Sequence, residues 1–338
     1  MSHKDKISEY DPKKDYVLDW LSRMYEDFSL VDLFNRYTKS DLIELAKSKG
    51  MKKISNCKKA QLIEKIIAHM TDMEEVRRYF LSLHKTELQE LQKAMECESV
   101  YKTKEPELFL GLLSASYVDI ADKNKVIIPK EFREVYDSFG GDVFERERKK
   151  WSYIRCCLET IGLLYGIAPN YILPELVYQN KSLHISTEEI FSIAEAIPKE
   201  YTDIRMKDEL IYLEPFLTDD RGLLNVQGDK PFYIPTKEEI ISLGFESCLP
   251  NEPSLLNFQK FLRKKFKLDR ETAYHGGKGI QQMMIEGYDI DTIFQMLEEI
   301  GIWIDNDFEM HVVMQQVMEL WRNTRIIVNR GYKPVELF

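Results

Sequence analysis

The chain has 338 residues, of which 44% are hydrophobic and 31% charged, and its formal net charge is −10. This composition is typical of a globular protein with about two or three domains and excludes a disordered chain. No apolar run approaches the roughly 18 residues of a membrane-spanning helix, and the N-terminus lacks the apolar segment of a signal peptide. We therefore expect a cytoplasmic protein that does not bind membranes.

Cysteine and histidine usage points to no metal or redox chemistry. The five cysteines are scattered and odd in number, without a C-x-x-C pair, which favours reduced thiols in a cytoplasm. Cys156 and Cys157 lie in an apolar helical stretch, which is typical of core packing rather than of a nucleophile. The six histidines show no metal-ligand spacing, so we expect a non-enzymatic protein without metal or cofactor.

The first predicted elements, within residues 14–35, are one or two amphipathic helices. Tyr16, Trp20, Met24 and Phe28 recur at helical spacing. That spacing favours packing in a core over a platform for stacking bases. Residues 1–35 form the first predicted segment.

Residues 36–70 form a basic island within this acidic protein. They hold nine Lys and Arg against three acids, a local charge of +6, which leaves −16 for the rest of the chain. Charge segregated in this way is the usual electrostatic footprint of a phosphate-binding module. Few Asn, Gln or Arg accompany the lysines, so sequence-specific base readout is not expected.

The basic island also has a predicted architecture of two short helices. Thr38 or Ser40 can cap a first helix, and Gly50 ends it. Met51–Lys59 is predicted to be an irregular, lysine-rich connector. Apolar residues at positions 62, 63, 66 and 67 then predict a second helix.

These residues resemble a known family. The run T-K-S-D-L-I-E-L-A-K-S-K-G, the connector, and the run K-K-A-Q-L-I-E-K-I are similar to the helix–extended loop–helix of SAP domains and to the N-terminal domain of the Rho termination factor. The resemblance implies a module, residues 36–71, that touches nucleic-acid backbone, with DNA favoured over RNA. Asn56 and Cys57 stand where many relatives have a glycine. Carried over to this sequence, the phosphate contacts are Lys47, Lys49, Lys52, Lys53, Lys58 and Lys59.

Residues 72–142 are predicted to form helices followed by a β-hairpin. The elements are helices 73–82, 85–96 and 106–115, β-runs Tyr117–Ile120 and Val126–Ile128 about the polar turn Asp122–Asn124, and a helix over Pro129–Phe139. This order resembles a winged helix, in which Lys123 and Lys125 would lie at the tip of the wing. The first two helices hold at least as many acids as bases, which favours a protein scaffold over a DNA-facing recognition helix.

Two further helical segments are predicted, residues 143–225 and 226–338. Gly140–Gly141 marks the boundary before the first segment, and Asp219–Lys230 marks the boundary between the two. Their predicted helices are 145–164, 169–179, 186–197, 206–212, 236–243, 254–266, 277–286, 289–300 and 307–328. A repeat of the winged-helix plan in the first of them stays open, because no clean sequence period is present.

A second basic cluster lies within the last segment. Its residues are Lys260, Arg263, Lys264, Lys265 and Lys267, interleaved with Phe258, Phe261 and Phe266. The pattern fits a surface for nucleic acid or an acidic partner, and it also fits an amphipathic helix with phenylalanines inward and lysines in water. The second interpretation is favoured.

The run HGGKG, His275–Gly279, precedes a predicted helix and can offer backbone N–H groups to an anion. It lacks both the Walker spacing and a preceding strand. A flexible turn between helices is therefore the favoured interpretation, and an enzyme that uses Lys278 is a minor alternative.

The tail, WRNTRIIVNRGYKPVELF, resembles the segment that precedes the SEC-C zinc motif in some bacterial proteins. No Cys/His cluster follows it in this sequence, so zinc binding is not carried over. The resemblance implies a bacterial or bacteriophage origin. The matching residues are Trp321, Asn323, Thr324, Gly331, Pro334, Glu336 and Leu337.

These patterns lead to two hypotheses about a mainly α, multi-module protein. In the first, the basic island binds nucleic-acid backbone, and a dimer or a second site adds avidity. In the second, the chain is an adaptor whose acidic helical body binds a protein partner, and the basic island is a docking surface.

Overall fold

The computed structural model describes residues 28–97, 100–122, 124–136, 138–217, 220–246, 252–304 and 306–337. The chain divides into two compact units, one ending at Lys149 and the other beginning at Lys150. The described residues form seventeen α-helices and two three-stranded antiparallel sheets, which confirms the mainly helical class. The helices predicted within residues 14–27 lie outside the described residues, and the finer division into five segments stays a prediction.

The first unit is a succession of short helices around one small sheet. Its helices are α1 (Leu30–Asn35), α2 (Lys39–Ser48), α3 (Lys59–Met70), α4 (Met73–Ser82), α5 (Lys85–Met95), α6 (Leu110–Ser114) and α7 (Lys130–Tyr136), with a 3-10 turn at Pro106–Phe109. Helix α8 (Gly141–Tyr165) begins in this unit. Helices α2 and α4 begin after polar N-cap residues: Thr38 accepts a hydrogen bond from Asp41 N, and Asp72 accepts hydrogen bonds from the N–H groups of Glu74 and Glu75.

The sheet of the first unit contains the predicted hairpin and one strand that the sequence pattern missed. Strands β2 (Asp119–Asp122) and β3 (Lys125–Ile127) form the hairpin, with Ile120 opposite Val126. Strand β1 (Val100–Lys102) pairs with the other edge of β3, so the order is β1-β3-β2. Three residues are too few to show the period-two pattern by which strands are predicted.

An aromatic cluster fills the core of the first unit. The rings of Phe80 and Phe132 stack at 5.2 Å, and Tyr117 lies 4.7 Å from both Phe132 and Tyr79. The Tyr117 hydroxyl donates a hydrogen bond of 3.0 Å to the carbonyl of Met70, the last residue of α3. Helix α3 is therefore anchored to the cluster at its C-terminal end.

The second unit contains the other sheet and the longer helices. Its helices are the rest of α8, α9 (Ile172–Val177), α10 (Thr187–Ala196), α11 (Asp220–Gln227), α12 (Lys237–Glu246), α13 (Pro253–Lys265), α14 (Arg270–Glu286), α15 (Ile290–Glu299), α16 (Asp307–Asn323) and α17 (Pro334–Leu337). Its 3-10 turns are Lys199–Tyr201, Glu214–Leu217 and Ile327–Asn329. The last predicted helix, 307–328, ends earlier, at Asn323.

The helix predicted at 206–212 is wrong, because this segment forms a β-hairpin. Strands β5 (Ile204–Lys207) and β6 (Leu210–Leu213) pair antiparallel, and β4 (Ile167–Pro169) adds to the other edge of β6. Asp208 and Glu209 join the strands with φ of +50° and +62°. Left-handed conformations at both turn positions give the twist that two-residue hairpins favour, but Asp-Glu is not a residue pair that predicts one.

The two units repeat one topological plan. In each, a helix leads into a first strand, one or more short helices follow, and a hairpin places its last strand in the middle of the sheet. The resulting strand orders, β1-β3-β2 and β4-β6-β5, are equivalent. The two sheets therefore share one strand order, and a repeat of the winged-helix plan stays a prediction.

The run HGGKG is not a turn between helices, as predicted, but the interior of α14. A Cβ at Gly277 would meet Cγ of Gln259 on α13 at 2.7 Å, and a Cβ at Gly276 would meet Ile300 at 2.7 Å. The glycines let neighbouring elements approach closely, and this tertiary gain outweighs their poor helix propensity. Phe258 is buried in the same helical core and Phe261 and Phe266 pack against it, which confirms that the phenylalanines of the second basic cluster face inward.

Candidate nucleic-acid interface

Helix α2 of the basic island begins and ends through local hydrogen bonds. Of the two predicted caps, Thr38 is the one used: its hydroxyl accepts from Asp41 N, and the Asp41 carboxylate accepts from Thr38 N at 2.8 Å. These hydrogen bonds, first of all that from the Thr38 backbone, lower the pKa of Asp41 below its ordinary value. At the other end Gly50 has a φ of +74°, and the N–H groups of Gly50 and Met51 return to the carbonyls of Lys47 and Ala46. This Schellman arrangement directs the chain out of the helix and into the connector.

Two buried residues decide which side chains of the connector face the solvent. Ile54 and Cys57 point inward, and the N–H of Cys57 donates to the carbonyl of Ile54 at 3.1 Å. Lys52 and Lys53 before them and Lys58 after them are exposed. The apolar anchors therefore hold the lysines of the connector outward.

The structure divides the six lysines that the resemblance selected. The Lys49 ammonium lies 3.2 Å from the Tyr79 hydroxyl and about 5 Å above the rings of both Tyr79 and Tyr117. Lys59 donates a hydrogen bond of 2.9 Å to the carbonyl of Asn35, the last residue of α1. These two lysines fix the connector and the start of α3 to the body of the unit.

The other four lysines present their charge to the solvent. Lys47, Lys52, Lys53 and Lys58 are exposed, and none of them forms an ion pair with any residue in the described ranges. The stretch 49–59 contains no acidic residue. We call these four side chains the lysine cluster. Its positive potential is not cancelled by neighbouring carboxylates of the connector, which is the electrostatic requirement for holding a polyanion.

Three arginines of the first unit pair with acids. Arg36 pairs with Asp119 at 3.0 Å, Arg77 pairs with Glu147, and Arg78 pairs with Glu75. Lys123, predicted at the tip of the wing, lies outside the described residues, and Lys125 is half-buried. The scaffold role expected for residues 72–142 stays a prediction.

Two features bear on metal and thiol chemistry in the part of the chain that the structure describes. No three His, Cys, Asp or Glu side chains of these residues gather as a metal site. Cys57, Cys156 and Cys157 are buried, and burial raises the pKa of the Cys157 thiol well above its ordinary value. A nucleophilic cysteine needs the opposite shift. None of the helices in the described ranges is long and apolar enough to cross a membrane.

The tail residues that resemble the SEC-C-preceding segment hold an ion-pair network together. Arg325 is buried, stacks on the ring of Tyr233 at 3.4 Å, and contacts Glu239 and Glu336 at 3.3 and 3.2 Å. It also donates to the carbonyl of Gly331. The shared residues Gly331 and Glu336 therefore have structural roles in this chain.

Comparison of the chain with protein-family models, with curated proteins and with solved structures finds no match in any of the three. The resemblance of the basic island to SAP domains stays a prediction that its geometry motivates.

Proposed function

We propose that this protein binds the phosphate backbone of nucleic acid through the lysine cluster, with DNA as the preferred ligand. One observation carries the proposal: four exposed lysines, none with an ion pair among the described residues, lie at the end of α2 and along a connector free of acids, and buried side chains fix the base of that connector. Lysines that replace condensed counterions bind without regard to base sequence, so affinity falls steeply with salt.

The test is fluorescence anisotropy of the full chain with labelled duplex and single-stranded DNA and RNA over a salt series. Lys47→Ala/Lys52→Ala/Lys53→Ala/Lys58→Ala removes the lysine cluster. Four fewer phosphate contacts should make the slope of log affinity against log salt shallower by about 3 and weaken binding at least about tenfold at low salt.

The matched control changes the same amount of charge elsewhere. Lys102, Lys104, Lys181 and Lys199 are exposed lysines outside the basic island, and their combined replacement by Ala should leave both slope and affinity nearly unchanged. Equal losses in the two variants would mean that net charge, rather than the lysine cluster, governs binding. Unchanged binding in the lysine-cluster variant would refute the proposal.

A second candidate function, an adaptor for a protein partner, is favoured by two exposed aromatic side chains. Trp303 is 67% exposed and Phe308 is 76% exposed, near the exposed carboxylates of Asp307 and Glu298. Large apolar side chains left in water commonly mark interaction surfaces. A partner bound by wild type, lost with Trp303→Ser/Phe308→Ser and retained by the lysine-cluster variant would support the adaptor. Light scattering of the same variants tests whether that partner is a second copy of the chain.

A further inference from the structure

Helices α13 and α14 enclose a groove of about 720 Å³ in the second unit. Along α13, Leu256, Lys260 and Arg263 are spaced at i, i+4 and i+7 and share one face. Along α14, Arg270 and Tyr274 are four residues apart. The lining residues are these five together with Gln259, Glu271 and Ala273.

The groove is cationic. Lys260, Arg263 and Arg270 are exposed and form no ion pair with any residue that the structure describes, against the single carboxylate of Glu271. The neighbouring Lys265 differs, because it is paired with Glu309 at 2.8 Å. Two cations of the second basic cluster, Lys260 and Arg263, therefore line the groove together with Arg270.

An aromatic side chain lies among these cations. Tyr274 is 41% exposed, and the Lys278 ammonium lies 5.7 Å from the centre of its ring. Leu256, also 41% exposed, adds apolar surface from the other helix. Cations beside an exposed ring are the combination by which proteins hold unpaired nucleotides.

The floor of the groove is closely packed. Gln259 is 8% exposed, and its side-chain amide donates to the carbonyl of Tyr274 at 3.4 Å. Gly277 lies so close to Gln259 that even a methyl group would clash. The groove is therefore formed before a ligand arrives, as small-ligand sites commonly are.

We propose that this groove binds a short single-stranded stretch of nucleic acid. Lys260, Arg263 and Arg270 hold the phosphates, and Tyr274 stacks on one unpaired base. A base-paired duplex does not expose the face of a base, and an acidic peptide without a flat ring leaves Tyr274 unused. The ligand class rests on the proposed function, but no residue of the groove belongs to the lysine cluster. The groove is the second site that a weakly binding basic island requires.

Anisotropy of the full chain with a labelled oligothymidylate of about 20 nucleotides tests the groove. Lys260→Ala/Arg263→Ala/Arg270→Ala should weaken binding about tenfold, whereas Lys181→Ala/Lys264→Ala/Lys267→Ala, with the same charge change on exposed lysines outside the groove, should not. Tyr274→Ala should weaken binding about tenfold and Tyr274→Phe should preserve it, because stacking needs the ring and not the hydroxyl. Unchanged affinity in the groove triple variant and in Tyr274→Ala would overturn the inference.

Photo-crosslinking separates this site from the lysine cluster. An oligonucleotide carrying 5-bromodeoxyuridine should crosslink to a peptide that contains Tyr274. Crosslinks confined to the basic island would overturn nucleic-acid binding by the groove and leave the proposed function of the lysine cluster standing. Crosslinks confined to α13 and α14 would support binding by the groove and overturn the proposed function of the lysine cluster. Thymidine monophosphate that displaces the oligonucleotide at equal concentration would also overturn the groove as a nucleic-acid site.

Discussion

Glu90 shows how a single carboxylate is kept ionised in the core of the first unit. It is 5% exposed and accepts hydrogen bonds from Tyr101 and Thr103, each at 2.8 Å, and from Lys93. Burial opposes ionisation, but the hydrogen bonds, that from Lys93 foremost, still hold the pKa of Glu90 below its ordinary value. Burial and the Glu90 carboxylate together raise the pKa of Tyr101 to about 12. The network ties α5 to β1 and to the residue after it.

Replacing Glu90 by Gln should lower the free energy of unfolding by about 1–3 kcal/mol near neutral pH, since charged hydrogen bonds are lost. A depressed pKa stabilises the fold above the unfolded-state value of 4.5, and this contribution disappears as pH falls through the lower folded-state value. In urea unfolding, the difference between wild type and Glu90→Gln should therefore stay constant from about pH 7 to about pH 5 and shrink as the pH falls below 4.5. Glu96→Gln, an exposed change just beyond the same helix, should cost little at either pH. If the difference in unfolding free energy grew as the pH fell, the lowered pKa of Glu90 would be contradicted.

At the scale of elements, α14 exists because tertiary packing overrides helix propensity. Its glycines would predict a turn, yet Gly276 and Gly277 are buried between packed elements. Gly279 is different, since a Cβ there would meet only the end of the Met296 side chain, at 3.3 Å. The two kinds of glycine in one helix give a matched pair of substitutions.

Gly279→Ala should raise the free energy of unfolding by up to about 1 kcal/mol, because Ala is the better helix former and the flexible end of Met296 can yield. Gly277→Ala should lower it by about 1–3 kcal/mol, because the new Cβ would lie 2.7 Å from Cγ of the buried Gln259, near the root of that side chain rather than at a flexible end. Chemical unfolding of both variants measures the difference. Equal effects of the two changes on the free energy of unfolding would show that the close packing at Gly277 does not contribute to stability.

The hairpin of β5 and β6 carries a strained turn. Asp208 and Glu209 both adopt left-handed conformations. Asp tolerates this region, whereas Glu, like most L-residues, avoids it, so the strain lies at Glu209. Asp208→Asn/Glu209→Gly would supply the residue pair that such turns favour and should raise the free energy of unfolding by about 1 kcal/mol. Lys181→Gly, at an exposed loop position, is a control for the entropy of an added glycine. A loss of stability in the turn variant would rule out a two-residue turn of this type.

At the scale of the whole molecule, positive charge is concentrated in an otherwise acidic chain. The lysine cluster and the groove lie in separate units and share no residue. Polyanions are therefore expected to engage local patches, while the acidic remainder keeps nucleic acid away from most of the surface.

Because the two sites share no residues, their contributions to salt dependence should add. With single-stranded DNA, removing the lysine cluster should reduce the slope by about 3 and removing the three cations of the groove by about 2. The variant that combines both sets should lose about 5, as anisotropy over a salt series would show. A combined variant no worse than the lysine-cluster variant would mean that only the basic island contacts the ligand.

Much of the secondary structure, and the basic island itself, followed from sequence alone. Caps such as Thr38, the stop at Gly50 and apolar spacing placed α2 and α3, because these are interactions between residues close along the chain. Charge segregation within residues 36–70 likewise needs only the sequence. The three-residue strand β1 and the Asp208–Glu209 turn were not predictable in this way, since strand pairing is a long-range interaction and the turn residues are unusual for their conformation.

Only the tertiary structure decided which lysines of the basic island are available to bind a ligand and which surface the second basic cluster faces. Lys49 and Lys59 look like their neighbours in the sequence, but their ammonium groups are held by Tyr79 and by the carbonyl of Asn35. Likewise Arg270 and Tyr274 join Lys260 and Arg263 only because glycines let α14 lie close against α13. Spacing along a chain fixes which residues share a helix face, whereas the partner of a charged side chain depends on residues brought near by packing.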